Sequence, residues 1–288
     1  NKKSPGLINF FETDTIKDFS DAWKTLSLLL ENTSEKVTLL ACISDDLRFI
    51  TKNWDKILLS YENYFDDGIY RLRCSKFKNQ TYNDLWQCGY APDAYSFYSI
   101  TWMKTVGQWC PCIGPDSFQE CVSFYMKKIS SKYDRNIIVE DISFSGESVS
   151  SGINLITRIK RTRIYYKAFF ILMSYKNQVI ALNSAKKIIK NLKNFNDEIN
   201  LDSYNINFFE HKLKNTIRRF NFFKHRGSSN HPIDSFWKNI FFMIWCKMSY
   251  LDYLLLRIIK YLYKSGHLRR FIKNDNQYKN LAEIIENE

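Results

Sequence analysis

The sequence predicts an α/β fold, and two observations support this prediction. A segment with helical spacing, an apolar strand, a pair of acids, a second helical segment and a second strand follow one another early in the chain. The first strand, which begins at Val37, runs directly into the adjacent carboxylates of Asp45 and Asp46. Alternation of this kind is typical of a sheet flanked by helices, and ligands of such sheets bind at the carboxyl ends of strands. We therefore expect a functional site at Asp45 and Asp46.

The remaining elements follow from the spacing of apolar side chains. Apolar residues recur every three or four positions, which predicts helices, in residues 18–30, 51–64 and 168–192. Asp66, Asp67 and Gly68 end the second of these helices, and residues 69–74 alternate in the manner of a strand. A further helix is predicted to begin at Ser117 with Asp116 as its N-terminal cap.

The composition limits the class of protein to which the whole chain can belong. The 288 residues are 45% hydrophobic and 25% charged, which is enough to bury a core and argues against disorder. The character changes near residue 200, where a basic and aromatic helical region begins. We therefore divide the chain into a core over residues 1–195 and a helical, basic extension over residues 196–288. The net charge of +12 indicates association with anionic partners and says nothing about the fold.

Several function classes lack their motifs. The sequence contains no G-x-S-x-G, no P-loop and no G-x-G-x-x-G, so it does not predict a serine hydrolase, a P-loop NTPase or a dinucleotide-binding enzyme. The seven cysteines are odd in number and include no C-x₂-C pair. Free thiols in a reducing compartment are the expected state, with one local disulfide among the cysteines between residues 88 and 121 as the alternative. We expect a cytoplasmic protein, or one that lies peripherally at a membrane.

The acidic pair suits a particular chemistry. Aspartates are poor residues for a strand interior, and Mg²⁺ or Mn²⁺ prefers carboxylate oxygens together with substrate phosphates. The competing interpretation is that Asp45 and Asp46 only end the strand and begin a turn.

Five segments resemble family 2 glycosyltransferases, which have the nucleotide-sugar-binding GT-A fold. They are Asp-Phe-Ser-Asp-Ala-Trp-Lys at 18–24, Ser-Asp-Asp-Leu-Arg-Phe at 44–49, Asn-Trp-Asp at 53–55, the stretch 95–107, and Trp-Cys-Pro-Cys-Ile-Gly-Pro-Asp-Ser-Phe-Gln-Glu-Cys-Val at 109–122. The resemblance covers about residues 15–145. It implies a GT-A-like mixed sheet flanked by helices.

The resemblance also implies an activity, the transfer of a sugar from a nucleoside diphosphate donor to an acceptor hydroxyl. Asp45 and Asp46 would bind Mn²⁺ or Mg²⁺ and the donor diphosphate. An acid at the start of a helix would take the acceptor proton, with Asp116 as first choice and Glu120 as second. The acceptor is not indicated by the sequence.

Two arginines in the middle of the chain are candidates for contact with the donor. Arg161 and Arg163 lie in a basic stretch at 158–163, and a guanidinium group binds diphosphate oxygens well. The competing interpretation is a solvated helix face.

The chain departs from this family in two respects. Only 44 residues precede Asp45, so we expect part of the nucleotide-binding half to be absent. The segment after the catalytic helix supplies Glu140, Asp141 and Glu147 but no histidine, so no histidine metal ligand is predicted.

The apolar run at 236–263 is interrupted by Lys247, Asp252, Arg257 and Lys260, which argues against a transmembrane helix. Two interpretations remain for this run. Its apolar residues pack in a core or an oligomer, or they lie on a membrane surface.

Two other functions compete with the glycosyltransferase. A strand followed by Ser-Asp-Asp is also similar to the metal-binding hairpin of viral RNA-dependent polymerases, and a basic, aromatic second half suits nucleic acid. In that case Glu12 and Asp14 are the only upstream acids for a two-metal site. Alternatively, the chain is a non-catalytic subunit with a degenerate transferase core.

Overall fold

The computed structural model describes residues 37–42, 47–74, 85–90, 92–93, 95–112, 114–146, 154–196, 198–206, 236–269 and 285–286. Within these residues the protein is mixed α/β, as predicted, with a four-stranded sheet, a two-stranded sheet and eight α-helices. The predicted helix at 18–30 lies outside the described residues.

The strands are short and separated by helices. They are β1 (Leu39–Ala41), β2 (Leu47–Phe49), β3 (Arg71–Arg73), β4 (Phe97–Ser99), β5 (Asn136–Ile138) and β6 (Phe144–Gly146). The helices are α1 (Trp54–Leu59), α2 (Leu85–Tyr90), α3 (Ile100–Val106), α4 (Pro115–Ile129), α5 (Leu155–Leu172), α6 (Tyr175–Lys190), α7 (Phe236–Lys247) and α8 (Leu251–Lys264).

The larger sheet has the strand order β1-β4-β3-β5. Strand β4 is antiparallel to both of its neighbours, with Phe97 opposite Ala41 on one side and opposite Leu72 on the other, while β3 and β5 are parallel. Strands β1, β3 and β5 therefore run in the same direction. Their carboxyl ends, together with the beginning of β4, form one edge of the sheet, which we call the carboxyl edge.

Successive residues of β3 face opposite sides of the sheet, as the pleat requires. Leu72 packs in a cluster with Leu58, Phe97 and Val139 on one side. Arg71 points to the other side, where α4 lies. The larger core is on that side, and α3, α4 and α6 contribute its fully buried side chains, among them Trp102, Phe118, Cys121, Ala185 and Ile188.

The two-stranded sheet lies next to the carboxyl edge. Strand β2 follows the acidic pair in sequence and pairs with β6, with Phe49 opposite Phe144. Phe49 stacks on Trp54 with ring centroids 3.8 Å apart and lies 6.3 Å from the Phe97 ring at the beginning of β4. These ring contacts hold the chain that leaves the acidic pair against the main sheet.

Several predicted elements have different bounds in the structure, and the helix predicted over 51–64 is limited to Trp54–Leu59. The helix predicted over 168–192 is part of two helices, α5 and α6, that are separated at Met173 and Ser174. The side chains of Asn177 and Gln178 cause this break, because their amides donate to the carbonyls of Ile171 (2.7 Å) and Leu172 (2.8 Å) at the end of α5. The run at 236–263 is likewise divided into α7 and α8.

Another difference concerns the start of α4. The helix begins at Pro115 and its N-cap is Gly114, whose φ of +104° suits glycine. Asp116 is therefore in the first turn and is not the cap that we predicted. A carboxylate in the first turn is stabilised by the helix dipole.

Helices α7 and α8 pack on α5. Tyr166 of α5 stacks on Phe242 of α7 with ring centroids 4.4 Å apart. Trp245 of α7 and Ile259 of α8 are buried in the same cluster. Asp252 of α8 accepts a hydrogen bond from the Trp245 indole at 2.8 Å. No helix in the described part of the chain has the length and apolar character needed to cross a bilayer.

Candidate functional site

The predicted metal ligands, Asp45 and Asp46, lie outside the described residues. The chain on both sides of them is described, with Cys42 following β1 and Leu47 opening β2. Cys42 is therefore the last described residue before the acidic pair, and it follows directly on the carboxyl end of β1.

Asp116 lies within electrostatic reach of this point. Burial raises the pKa of the Cys42 thiol to about 12, and the negative charge of Asp116 contributes to the rise. The Asp116 side chain is partly exposed at the beginning of α4. The fold thus brings the first-choice catalytic residue, which is distant in sequence, to the end of the strand that precedes Asp45 and Asp46.

Two further thiols, Cys110 and Cys112, lie close to one another, and Cys110 is within electrostatic reach of Asp116. The Sγ atoms of Cys110 and Cys112 are 3.7 Å apart, and the backbone N–H of Cys112 donates to Cys110 Sγ at 3.4 Å. Burial raises the pKa of Cys110 well above its ordinary value, and Asp116 adds to this effect. The hydrogen bond from Cys110 lowers the pKa of Cys112. All seven cysteines belong to the described residues and are free thiols.

Beneath the carboxyl edge lies a buried polar cluster of Arg71, Asp93, Ser96 and Glu120, which we call the Arg71 cluster. Arg71 Nη2 is 2.5 Å from Glu120 Oε2, and the guanidinium also donates to Ser96 Oγ at 2.7 and 2.9 Å. Asp93 Oδ2 accepts from the Ser96 hydroxyl at 2.8 Å, and the Asp93 N–H donates to Glu120 at 3.2 Å. The cluster connects β3 and the beginning of β4 to α4.

Electrostatics keep the main pair of this cluster ionised. Burial alone would raise the pKa of Glu120, but the positive charges of Arg71 and Arg73 outweigh it, and the pKa is lowered. Burial likewise opposes the charge on Arg71, yet the Glu120 carboxylate raises its pKa well above the ordinary value. Glu120 is 1% exposed. This carboxylate is therefore buried in its ion pair with Arg71, whereas Asp116 is partly exposed.

Sequence reasoning did not identify Arg71, Asp93 or Ser96. The available signal was the alternation of residues 69–74, in which two arginines alternate with apolar residues. Both arginines are buried, Arg71 completely. Alternation of this kind predicts that the arginines lie on a solvated face of the strand. Their burial could be predicted only if the acid that pairs with them, on another element, were known.

The two arginines predicted to contact a diphosphate are on α5. Arg163 Nε donates to both carboxylate oxygens of Asp252, each at 3.1 Å, so its guanidinium binds α8. Arg161 is exposed on the same helix. Of the acids after β5, Glu140 and Asp141 are exposed, and Glu147 lies outside the described residues.

Within the part of the chain that the structure describes, no group of three or more His, Cys, Asp or Glu side chains is arranged to hold a metal ion. Asp45 and Asp46 lie outside that part of the chain, and so do Glu12 and Asp14, the acids of the polymerase alternative. Comparison with protein-family models, with curated proteins and with solved structures found no match to this chain.

Proposed function

We propose that the protein is a metal-dependent glycosyltransferase with a GT-A-like core that transfers a sugar from a nucleoside diphosphate donor to an acceptor hydroxyl. One observation supports this most directly. Asp116, in the first turn of α4, lies within electrostatic reach of Cys42, where the chain enters the acidic pair. The described end of β1, which precedes the acidic pair in sequence, and Asp116 therefore lie within electrostatic reach of one another beside the carboxyl edge of a mixed sheet, where ligands of α/β proteins bind.

The donor atoms suit a hard cation. Asp45 and Asp46 would hold Mn²⁺ or Mg²⁺, since both ions prefer carboxylate oxygens. The ion, when bound, would neutralise charge on the diphosphate leaving group.

Asp116 is the general base of the proposal. It is partly exposed, so an acceptor hydroxyl can reach it, whereas Glu120 is buried. A carboxylate within hydrogen-bond distance of the hydroxyl would accept its proton as the bond to the sugar forms. Glu120 has a positioning role, because its ion pair with Arg71 fixes α4, and with it Asp116, relative to the sheet.

The two arginines of α5 are not equivalent in this proposal. Arg161 is exposed and remains a candidate for contact with the diphosphate. Arg163 would have to leave Asp252 before it could reach a ligand. We therefore assign donor contact to Arg161 ahead of Arg163.

Thermal unfolding with added ligands tests the proposal. We expect Mn²⁺ together with UDP or GDP to raise the melting temperature of the full chain, because a ligand at about 100 times its Kd stabilises the folded state by about 2.7 kcal/mol. The double variant Asp45→Asn, Asp46→Asn should lose this shift. The matched control, Asp55→Asn with Asp66→Asn, changes two exposed aspartates and should keep it.

Asp116→Asn separates binding from chemistry. This variant should still be stabilised by Mn²⁺ and the nucleotide, but it should release UDP or GDP from a panel of sugar nucleotides about 10² to 10⁴ times more slowly than the parent chain. A salt-sensitive shift with RNA and none with UDP or GDP would replace the proposal with the nucleic-acid alternative. A response to neither ligand would favour a non-catalytic subunit.

A further inference from the structure

Helices α7 and α8 expose apolar side chains on the side that does not pack on α5. On α7 and just beyond its end these are Phe241, Ile244 and Met248, and on α8 they are Leu254, Ile258 and Tyr261. Their spacing of three or four residues places each set on one face of its helix. Leu254 is 52% exposed and Tyr261 is 71% exposed, so these faces are available to a partner.

The charges of the same segment have one sign at the surface. Residues 236–264 contain five basic residues and a single acid, Asp252. Asp252 is fully buried, and it is neutralised by Arg163 of α5. The segment therefore presents lysine and arginine without exposed carboxylates of its own, and the carboxylate described against it, Glu286, accepts a hydrogen bond from the Tyr263 hydroxyl of α8.

Basic and apolar side chains share one face of α8. Arg257 and Lys264 are exposed, and they occur at helical spacing with Leu254, Ile258 and Tyr261. A second copy of the chain packed on this face would bring like charges together, which is unfavourable. An anionic lipid surface satisfies both properties, since headgroups neutralise the basic groups while the apolar side chains enter the interface.

We propose that α7 and α8 form a peripheral membrane-binding surface for anionic lipids. The pair lies on the bilayer with its apolar residues inserted to the headgroup boundary, and α5 covers the opposite side. Tyrosine on the exposed face suits this depth, because its ring is apolar and its hydroxyl remains hydrated. The surface is independent of the glycosyltransferase proposal, because none of its residues belongs to the carboxyl edge.

Sedimentation of the full chain with lipid vesicles tests this surface. We expect binding to vesicles that contain phosphatidylglycerol and weak binding to pure phosphatidylcholine. The variant Leu254→Gln, Ile258→Gln should bind about tenfold more weakly, since less apolar area enters the interface. The variant Arg257→Gln, Lys264→Gln should bind the vesicles about fivefold more weakly for each charge removed, and its binding should depend less on the salt concentration.

Matched controls change residues of similar type away from the C-terminal helices. Ile50→Gln with Tyr175→Ser alters two exposed apolar residues, and Lys104→Gln with Lys176→Gln alters two exposed lysines. Both should bind vesicles as the parent chain does, and circular dichroism should confirm that every variant is folded.

Three results would overturn the proposal. The first is no binding to anionic vesicles, and the second is an equal loss of vesicle binding in the control variants. The third is a chain that does not bind vesicles and forms a dimer in analytical ultracentrifugation, which Leu254→Gln, Ile258→Gln dissociates. The last result would assign the face to a second copy of the chain. Because this experiment measures vesicle binding alone, a failure of nucleotide binding would not affect the membrane-surface proposal.

Discussion

Replacing Glu120 with glutamine would leave the Arg71 guanidinium buried without its counter-ion. The side chains of Arg71 and Glu120 are 0% and 2% exposed, and their closest atoms are 2.5 Å apart. Removing one partner of a buried ion pair costs about 3–5 kcal/mol, because the other charge stays desolvated. With a urea m-value of roughly 3 kcal/mol/M, the unfolding midpoint should fall by about 1–1.7 M.

A double variant and a surface control make this test specific. Arg71→Met combined with Glu120→Gln removes both charges, and its loss of stability should be smaller than the sum of the losses in Arg71→Met and Glu120→Gln alone by about 1–3 kcal/mol. Lys127→Gln breaks the ion pair with Asp134, in which the lysine side chain is 47% exposed, and should cost only about 0–1 kcal/mol.

Urea unfolding followed by tryptophan fluorescence measures the parent chain, the two single variants, the double variant and Lys127→Gln. A Glu120→Gln midpoint close to that of Lys127→Gln would refute the reasoning. So would single losses that simply add in the double variant, because additivity would mean that the two charges do not stabilise one another.

Three further predictions concern other parts of the chain. Because the folded-state pKa of Glu120 is lowered, the free energy of unfolding should fall as the pH drops below about 4.5, the ordinary value, and Glu120→Gln should flatten this dependence in urea titrations. Gly89→Ala would place a Cβ 2.8 Å from Phe169 Cδ2 and should lower the free energy of unfolding by about 1–3 kcal/mol in thermal unfolding. Adding Phe169→Leu should restore part of this stability. An unchanged melting temperature of Gly89→Ala would contradict the prediction. Iodoacetamide at pH 8 should alkylate Cys112 faster than Cys110, because the hydrogen bond from Cys110 lowers the pKa of Cys112. Site-resolved mass spectrometry measures both rates, and equal rates would contradict the assignment.

Local periodicity was sufficient to predict the α/β class. The apolar run from Val37 predicted β1, and the alternation at 69–74 predicted β3. Periodicity could not predict the break between α5 and α6, since it depends on hydrogen bonds from Asn177 and Gln178 to carbonyls six residues earlier. Such side-chain bonds compete with the helix without changing its apolar spacing.

The candidate site likewise contains one residue that a local signal predicted and one whose environment the sequence could not predict. Asp116 was chosen because the resemblance places an acid at the start of a helix, and that signal is local. The burial of Glu120 depends on Arg71, which is 49 residues earlier and on another element. The sequence alone therefore indicated two candidate carboxylates on one helix, with Asp116 ahead of Glu120, whereas in the structure Glu120 is buried against Arg71 and Asp116 is partly exposed.

The position of α5 has a consequence for how the chain can be divided. Leu172 at its end belongs to the core around α4 and α6, while Leu155, Ile159 and Tyr166 belong to the cluster with α7 and α8. A shortened polypeptide that stops at residue 195 would leave the Tyr166 ring without Phe242. It would also leave Arg163 without Asp252. The two halves are thus expected to melt in one cooperative transition, and a truncation at 195 is expected to aggregate.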